Sequence, residues 1–345
     1  MSFKIGIIGC GRIVEEGHAP ALSNMRHVAE VVALADPSPE RRATIENVLN
    51  YKVSGQYSSW KDLLENTPNL DAVLIALPHH LHEPAITDAA RFGVNVISEK
   101  PLAATLEEVD RIGAVIKEHN VKLAVIHNYT YSRPMRYALR AIQEGRVGEV
   151  FLVRSEGLAG SHYKGKDPSN PDWRTQSTRG GGGVLLDNGY HNMYVAEAEA
   201  QSPVIKVYAR VGRYVREQDV DDLAVVMLTH ENGATTVVEV AWAVNGGGAF
   251  VHEVHGKLGS IRFKIEAPFV EIYENKIGQW LPLSYADDNF QEGFHGVLQD
   301  IFNAWARGEE APTNLAKARH NLAILRAAYL SAQQGTVVDL KDVER

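Results

Sequence analysis

The sequence predicts an α/β protein in two parts. A doubly wound parallel sheet is expected over residues 1–126, and an α+β unit with a large, mostly antiparallel open sheet over 127–345. Three observations predict this. Up to residue 128, short unbroken apolar runs alternate with helix-compatible stretches, the pattern of parallel strands covered on both faces by crossover helices. From residue 149 onward the strand-like runs follow one another with only turn signals such as GKLGS and ENG between them, and short connections join antiparallel neighbours. Finally, 345 residues exceed what one hydrophobic core usually serves.

The first element is FKIGII (3–8), which runs into Gly9-Cys10-Gly11 and a helix-compatible stretch from Arg12 to Asn24. Gly9 permits a strained turn. The missing side chain at Gly11 lets a pyrophosphate approach the helix N-terminus at Arg12 and Ile13, where partial positive charge favours an anion. Val14 stands where the dinucleotide fingerprint has its third glycine, which predicts looser packing of helix on strand. AEVVALA (29–35) is the second strand, and Asp36 at its end is placed to accept both ribose hydroxyls of an adenosine and to repel a 2′-phosphate. NAD is therefore favoured over NADP, with Arg41 and Arg42 as the contrary feature. Asp36 before Pro37 serves equally as a cap for a helix starting near Pro39.

Strands then follow at 70–77, 94–100 and 121–128, with helices at 81–93 and 106–120. Ligands of such sheets sit at the C-terminal strand ends. The groups found there are Leu77, His79, His80 and His82, then Glu99-Lys100-Pro101, then His127-Asn128. Consecutive histidines project in different directions, so His79 and His82 read as cofactor contacts or helix caps. Burying an ammonium needs a partner. Glu99 and Lys100 therefore form either a surface turn fixed by Pro101 or a pair in which Lys100 points at nicotinamide and substrate.

In the second part, 133–145 is a helix stopped by glycine and 149–156 a strand. A polar, aromatic stretch (157–179) with Tyr163, Trp173 and Arg174 leads into GGGGVLLDNGYHNM (180–193). Six strand-like runs and two helices, 290–307 and 315–334, complete the chain. Val237, Val238, Val240, Ala241 and Trp242 put apolar groups on both faces of that sheet, which predicts a homodimer or homotetramer formed through it. Gly180 to Gly183 are expected to let the chain pass close to cofactor or substrate. A helix over 183–196 would set Asp187 and His191 one turn apart on one face, as a helix-stabilising pair or as a base and its orienter. That spacing also suits a metal, but no third ligand is evident nearby, and none is expected. Trp173 and Arg174 suit a sugar ring and its hydroxyls.

The formal net charge of −8 gives no footprint for nucleic acid. Cys10 is the single cysteine, so neither an intrachain disulfide nor a thiolate metal cluster within one chain is possible. With no apolar run of ~18 residues and no leader-like start, a cytoplasmic protein off the membrane is expected.

GIIGCGRI, Asp36, EKP at 99–101 and GGGVLLDNGYH at 181–191 together resemble the glucose-fructose oxidoreductase, inositol dehydrogenase and rhizopine-catabolism family, over nearly the whole chain including 319–335. The resemblance implies a Rossmann domain followed by an open-sheet α/β domain used in dimers or tetramers. It also implies that Lys100, Asp187 and His191 line the reacting carbon of a sugar or polyol, with Tyr163 and Tyr190 as outside candidates for the proton donor. An NAD-dependent dehydrogenase follows, with His191 as general base, Lys100 as electrostatic and proton-relay partner and Asp187 as orienter. The rivals are an NAD-assisted glycoside hydrolase and a non-catalytic dinucleotide-binding regulator; retention of all three residues argues against the latter.

Overall fold

Phe3–Ile8 form β1, whose apolar residues are buried from Ile5 to Ile8. The computed structural model describes residues 2–161, 173–246, 249–264, 270–284 and 290–344. After β1 the backbone is helical from residue 12, widens into a π-turn over Val14–His18 and continues as α1 (Ala19–Ser23). The Ala19 N–H reaches back to the Val14 carbonyl, the i→i+5 bond that defines such a turn. Val14 is fully buried, and the helix opens its turn from that residue.

The chain then alternates through β2 (Ala29–Ala35), α2 (Pro39–Leu49), β3 (Gly55–Tyr57), α3 (Trp60–Asn66), β4 (Ala72–Ile75), α4 (His82–Arg91), β5 (Asn95–Ser98), α5 (Leu106–Glu118) and β6 (Leu123–Val125). The six strands pair in parallel in the order β3-β2-β1-β4-β5-β6. Strand order reverses between β1 and β4, and it is at such a switch point that adjacent loops diverge to leave a crevice. Helix starts are set by side-chain caps: Ser38 accepts from the Arg41 N–H, Ser59 from the Asp62 N–H, and Thr105 and Glu108 form a reciprocal capping box. The short β3 and α3 were not expected from the sequence, where no clear periodicity marks them.

The second part opens with α6 (Arg133–Gln143) and β7 (Val150–Leu158). Three short-range helices follow, α7 (Ser177–Gly180), α8 (Val184–Asp187) and α9 (Gly189–Ala200). Then come β8 (Val204–Gly212), β9 (Leu223–His230), β10 (Thr235–Ala241), β11 (Ala249–Gly256), β12 (Gly259–Lys264), β13 (Val270–Glu274), β14 (Gln279–Ser284), α10 (Phe290–Ala306), α11 (Leu315–Gln334) and β15 (Val338–Asp339). The nine strands run β14-β13-β12-β11-β7-β10-β9-β8-β15, antiparallel except for β7 beside β10. Helices α9 and α11 cover one face. Alternation on β9 shows the two faces: Ala224, Val226 and Leu228 are buried, whereas Val225 and Met227 are exposed on the other side.

One helix crosses the division expected at 126/127. Phe294, Val297, Ile301 and Phe302 of α10 pack with Ile5, Ile7, Val14 and Leu22, so the core of the first sheet is completed by a segment from near the end of the chain. Among the described residues, no helix is long and apolar enough to cross a membrane.

Candidate active site

A cleft of about 1230 Å³ runs from the C-terminal ends of β1 and β2 to the start of α9. At its first end Gly9 adopts φ +91°, and a Cβ there would lie 2.3 Å from the Ala76 carbonyl oxygen. Only glycine fits. Gly11 differs, because its Cβ would meet nothing within 4 Å, leaving room at the helix start for a ligand to approach the backbone. Asp36 accepts from the Cys10 N–H (2.8 Å) and the Ser38 N–H (2.9 Å) while lining the cleft. Arg41, which also lines it, donates to the Cys10 carbonyl (2.8 Å) and pairs with Glu15 (2.9 Å), so its charge is already answered. These residues fit a dinucleotide whose adenosine ribose carries free hydroxyls. Arg12, Ile13, Leu77, His79 and Asn128 line the same cleft.

His82 does not. It is fully buried with Nδ1 3.0 Å from the Pro101 carbonyl and Nε2 2.9 Å from the Leu77 carbonyl, so it braces the ends of β4 and β5 from behind. His79 does face the cleft, with Nδ1 2.8 Å from the Gly180 carbonyl and its ring edge-on to Trp173 at 4.6 Å. Burial drives its pKa well down, so it is neutral. Glu99 meets His18 of the π-turn, Oε1 to Nε2 at 2.6 Å. Burial works against its charge, but His18 and Lys100 hold the carboxyl below its ordinary value.

Lys100 is the pivot of the far end. Its Nζ donates to the Asp187 carbonyl and to Asp187 Oδ1, both at 2.9 Å, and Arg174 Nε lies 3.2 Å from Asp187 Oδ2. Burial alone would raise the Asp187 pKa; Lys100 and Arg174 outweigh it and hold the carboxyl far below the usual range. The Arg174 guanidinium also lies over the Trp173 ring, 4.2 Å from its centroid.

The expected pairing of Asp187 with His191 gives way to other partners. Asn188 interrupts the ladder between α8 and α9, and the His191 N–H bonds to the Asn188 carbonyl. With both Asp187 oxygens committed to cations, His191 Nδ1 instead meets the Tyr194 hydroxyl at 2.8 Å. The His191 ring stacks on Tyr129 at 3.9 Å with 7° between planes. Burial and the Lys100 charge push its pKa well down, so the imidazole is neutral.

The glycine run approaches protein, not the cleft. A Cβ on Gly183 would lie 2.0 Å from the Asp221 carbonyl oxygen, and Gly181 (φ +78°) would place one 2.3 Å from the Ala104 Cβ. Asp221 accepts from the N–H groups of Gly183 and Leu185 (both 2.9 Å), which starts α8. This role was missed; an Asp-Asp pair before a strand carries no local signal of a cap. Tyr129 and Tyr194 were also missed, because their contacts with His191 are made only in the folded chain. Tyr190 is fully buried away from the cleft, and Tyr163 lies outside the described residues. No cluster of three His, Cys, Asp or Glu side chains able to hold a metal occurs among the described residues.

Two family models match, an oxidoreductase family with an NAD-binding Rossmann fold over residues 3–127 and the GFO/IDH/MocA C-terminal domain over 135–262. The chain belongs to the GFO/IDH/MocA oxidoreductase family. Within that family it is similar to myo-inositol 2-dehydrogenase of Thermotoga maritima, 30% identical over 241 residues that cover 68% of this chain and 67% of that one. It is 29% identical over 298 residues to levoglucosan dehydrogenase of Pseudarthrobacter phenanthrenivorans, covering 77% and 74%. A structure of levoglucosan dehydrogenase with NADH and levoglucosan superposes with a TM-score of 0.84 at 26% identity, covering 99% and 100%. As a GFO/IDH/MocA protein the chain is an NAD-dependent oxidoreductase, with the cofactor end of the cleft formed by the first domain.

Proposed function

We propose that this GFO/IDH/MocA protein oxidises a secondary or anomeric hydroxyl of a sugar, sugar derivative or cyclic polyol to a ketone or lactone. The observation that carries the reading is the convergence of Lys100, Asp187 and His191 at the inner end of the cofactor cleft. The names of the inositol and levoglucosan dehydrogenases support the substrate class. Bound NAD supplies the hydride acceptor. His191 takes the hydroxyl proton on a ring nitrogen, against the burial and the Lys100 charge that lower its pKa, a step typically worth ~10²–10⁴ in rate for a positioned base. Lys100 places a cation beside the oxygen as negative charge develops there. Asp187 keeps Lys100 and Arg174 in place as paired cations. Trp173 offers a ring face, and Arg174 a guanidinium, to a hydroxylated substrate.

The test is a screen of monosaccharides, inositols and sugar acids with NAD and NADP, following absorbance of the reduced cofactor. NADH formation with at least one polyol or sugar, and a preference for NAD, are expected; release of free sugar from a glycoside without net NADH would overturn the reading. Val225 and Met227, exposed on one sheet face among the described residues, support a homodimer or homotetramer, and sedimentation as a 38.0 kDa species alone would overturn that.

A further inference from the structure

The sequence pattern offered Asp187 as the group that orients His191, yet the structure gives the imidazole a different neighbour. Tyr194 lies three residues on in α9, with its hydroxyl 2.8 Å from His191 Nδ1. The same oxygen accepts from the Tyr129 N–H at 3.2 Å, and the Tyr129 ring stacks on His191. Tyr194 therefore receives a backbone bond from the very residue that clamps the imidazole plane. Its own ring is clamped in turn by His127, stacked at 4.3 Å with 4° between planes.

A phenol oxygen has one proton to donate and two lone pairs to accept with. Tyr129 uses one lone pair. The contact with His191 can then be made in two ways: Tyr194 donates to an unprotonated Nδ1, or it accepts from Nδ1–H. Donation would put the imidazole proton on Nε2 and leave no lone pair for a substrate hydroxyl. Acceptance leaves the Nε2 lone pair free but obliges Tyr194 to find another acceptor for its own proton. Burial keeps that proton on the phenol, since it drives the Tyr194 pKa far up.

Behind Tyr194 the structure leaves open space. Tyr194 borders a second cavity, about 640 Å³, that His191 does not line. His127, Glu197, Thr313, Lys317 and Asn321 border the same space. A cavity of this size, bordered by the polar residues Glu197, Lys317 and His320, has room for water.

We propose that Tyr194 is a positioning residue that holds His191 in the Nδ1–H tautomer, its hydroxyl accepting from Nδ1–H and donating into the rear cavity. The effect on turnover rests on the dehydrogenase reading; the tautomer does not. The test is two-bond ¹H–¹⁵N correlation spectroscopy on the full-length protein labelled at histidine nitrogens, with the His191 signals assigned by their loss in His191→Gln. In wild type, His191 is expected with Nδ1 protonated and Nε2 unprotonated. In Tyr194→Phe that preference is expected to be lost, while kcat for the polyol found in the screen falls about tenfold or more and KM stays within about twofold. A wild-type His191 protonated on Nε2 would overturn the proposal without recourse to any variant. So would a Tyr194→Phe protein with an unchanged tautomer and kcat. If wild type forms no NADH with any substrate while the tautomer and its loss are as stated, the dehydrogenase reading fails and the positioning role stands.

Discussion

The two ends of the cleft are built on different plans. At the end proposed for the cofactor, the groups singled out are backbone and the Asp36 carboxylate, supplied by one strand-turn-helix and the next strand: Gly9, the open approach at Gly11, and Asp36 bonded to the Cys10 N–H. At the end proposed for the substrate, the groups are side chains from segments far apart, with Lys100 and Asp187 separated by 87 positions and held by a part-buried ion pair. A backbone cradle tolerates drift in the surrounding sequence because its geometry comes from the local conformation. A side-chain constellation depends on every residue that aims it.

The largest effects should fall on the side-chain end. His191→Ala or Lys100→Ala is expected to lower kcat at least ~10²-fold in steady-state assays of NADH formation, with KM for NAD little changed. Wild-type turnover in both variants would remove the asymmetry between the ends.

Two glycines separate packing from ligand approach. Gly183→Ala forces a Cβ onto the Asp221 carbonyl and should cost about 3 kcal/mol or more in urea unfolding. Gly11→Ala meets no protein atom, so stability should stay within ~0.5 kcal/mol while KM for NAD rises. Equal destabilisation in the two variants would show that Gly11 is not held open for a ligand.

Asp36→Ala removes a charged acceptor, worth about 1.5–3 kcal/mol, and should weaken NAD binding roughly tenfold or more without altering kcat. It should also narrow the preference for NAD over NADP; a changed kcat would mean that the two ends are coupled.

The smallest effect lies outside the cleft. Glu197, with Glu344 on the other nitrogen, raises the His320 pKa to about 9 from an ordinary 6.5. The stabilisation is fully present below about pH 6.5 and is lost as pH rises through about 9. Thermal melts of wild type should therefore decline more between pH 7 and 10 than those of His320→Gln, and parallel curves would discount the pair.

Much of this architecture is legible in residues close together in the chain. Unbroken runs such as AVLI in β4 announce a strand buried on both faces, and Thr105 with Glu108 announces a helix start. The short β3 and α3 carry too few residues for periodicity to show. His82 was misplaced because its strand-end position is shared by residues that face the cleft and residues that brace it from behind, and only the Pro101 and Leu77 carbonyls distinguish them.

By itself the sequence determined the parallel sheet, the dinucleotide turn and the identity of Asp36, Lys100, Asp187 and His191 as polar groups brought to strand and helix ends. Local conformation is encoded by neighbours in the chain, so periodicity and glycine placement suffice for it. Partners were decided only in three dimensions: Asp187 binds Lys100 and Arg174, Tyr194 takes His191, and Gly183 lies against Asp221. Each buried polar group must be satisfied by whatever the packed core brings within about 3 Å, and that depends on how the elements pack as well as on which residues they carry.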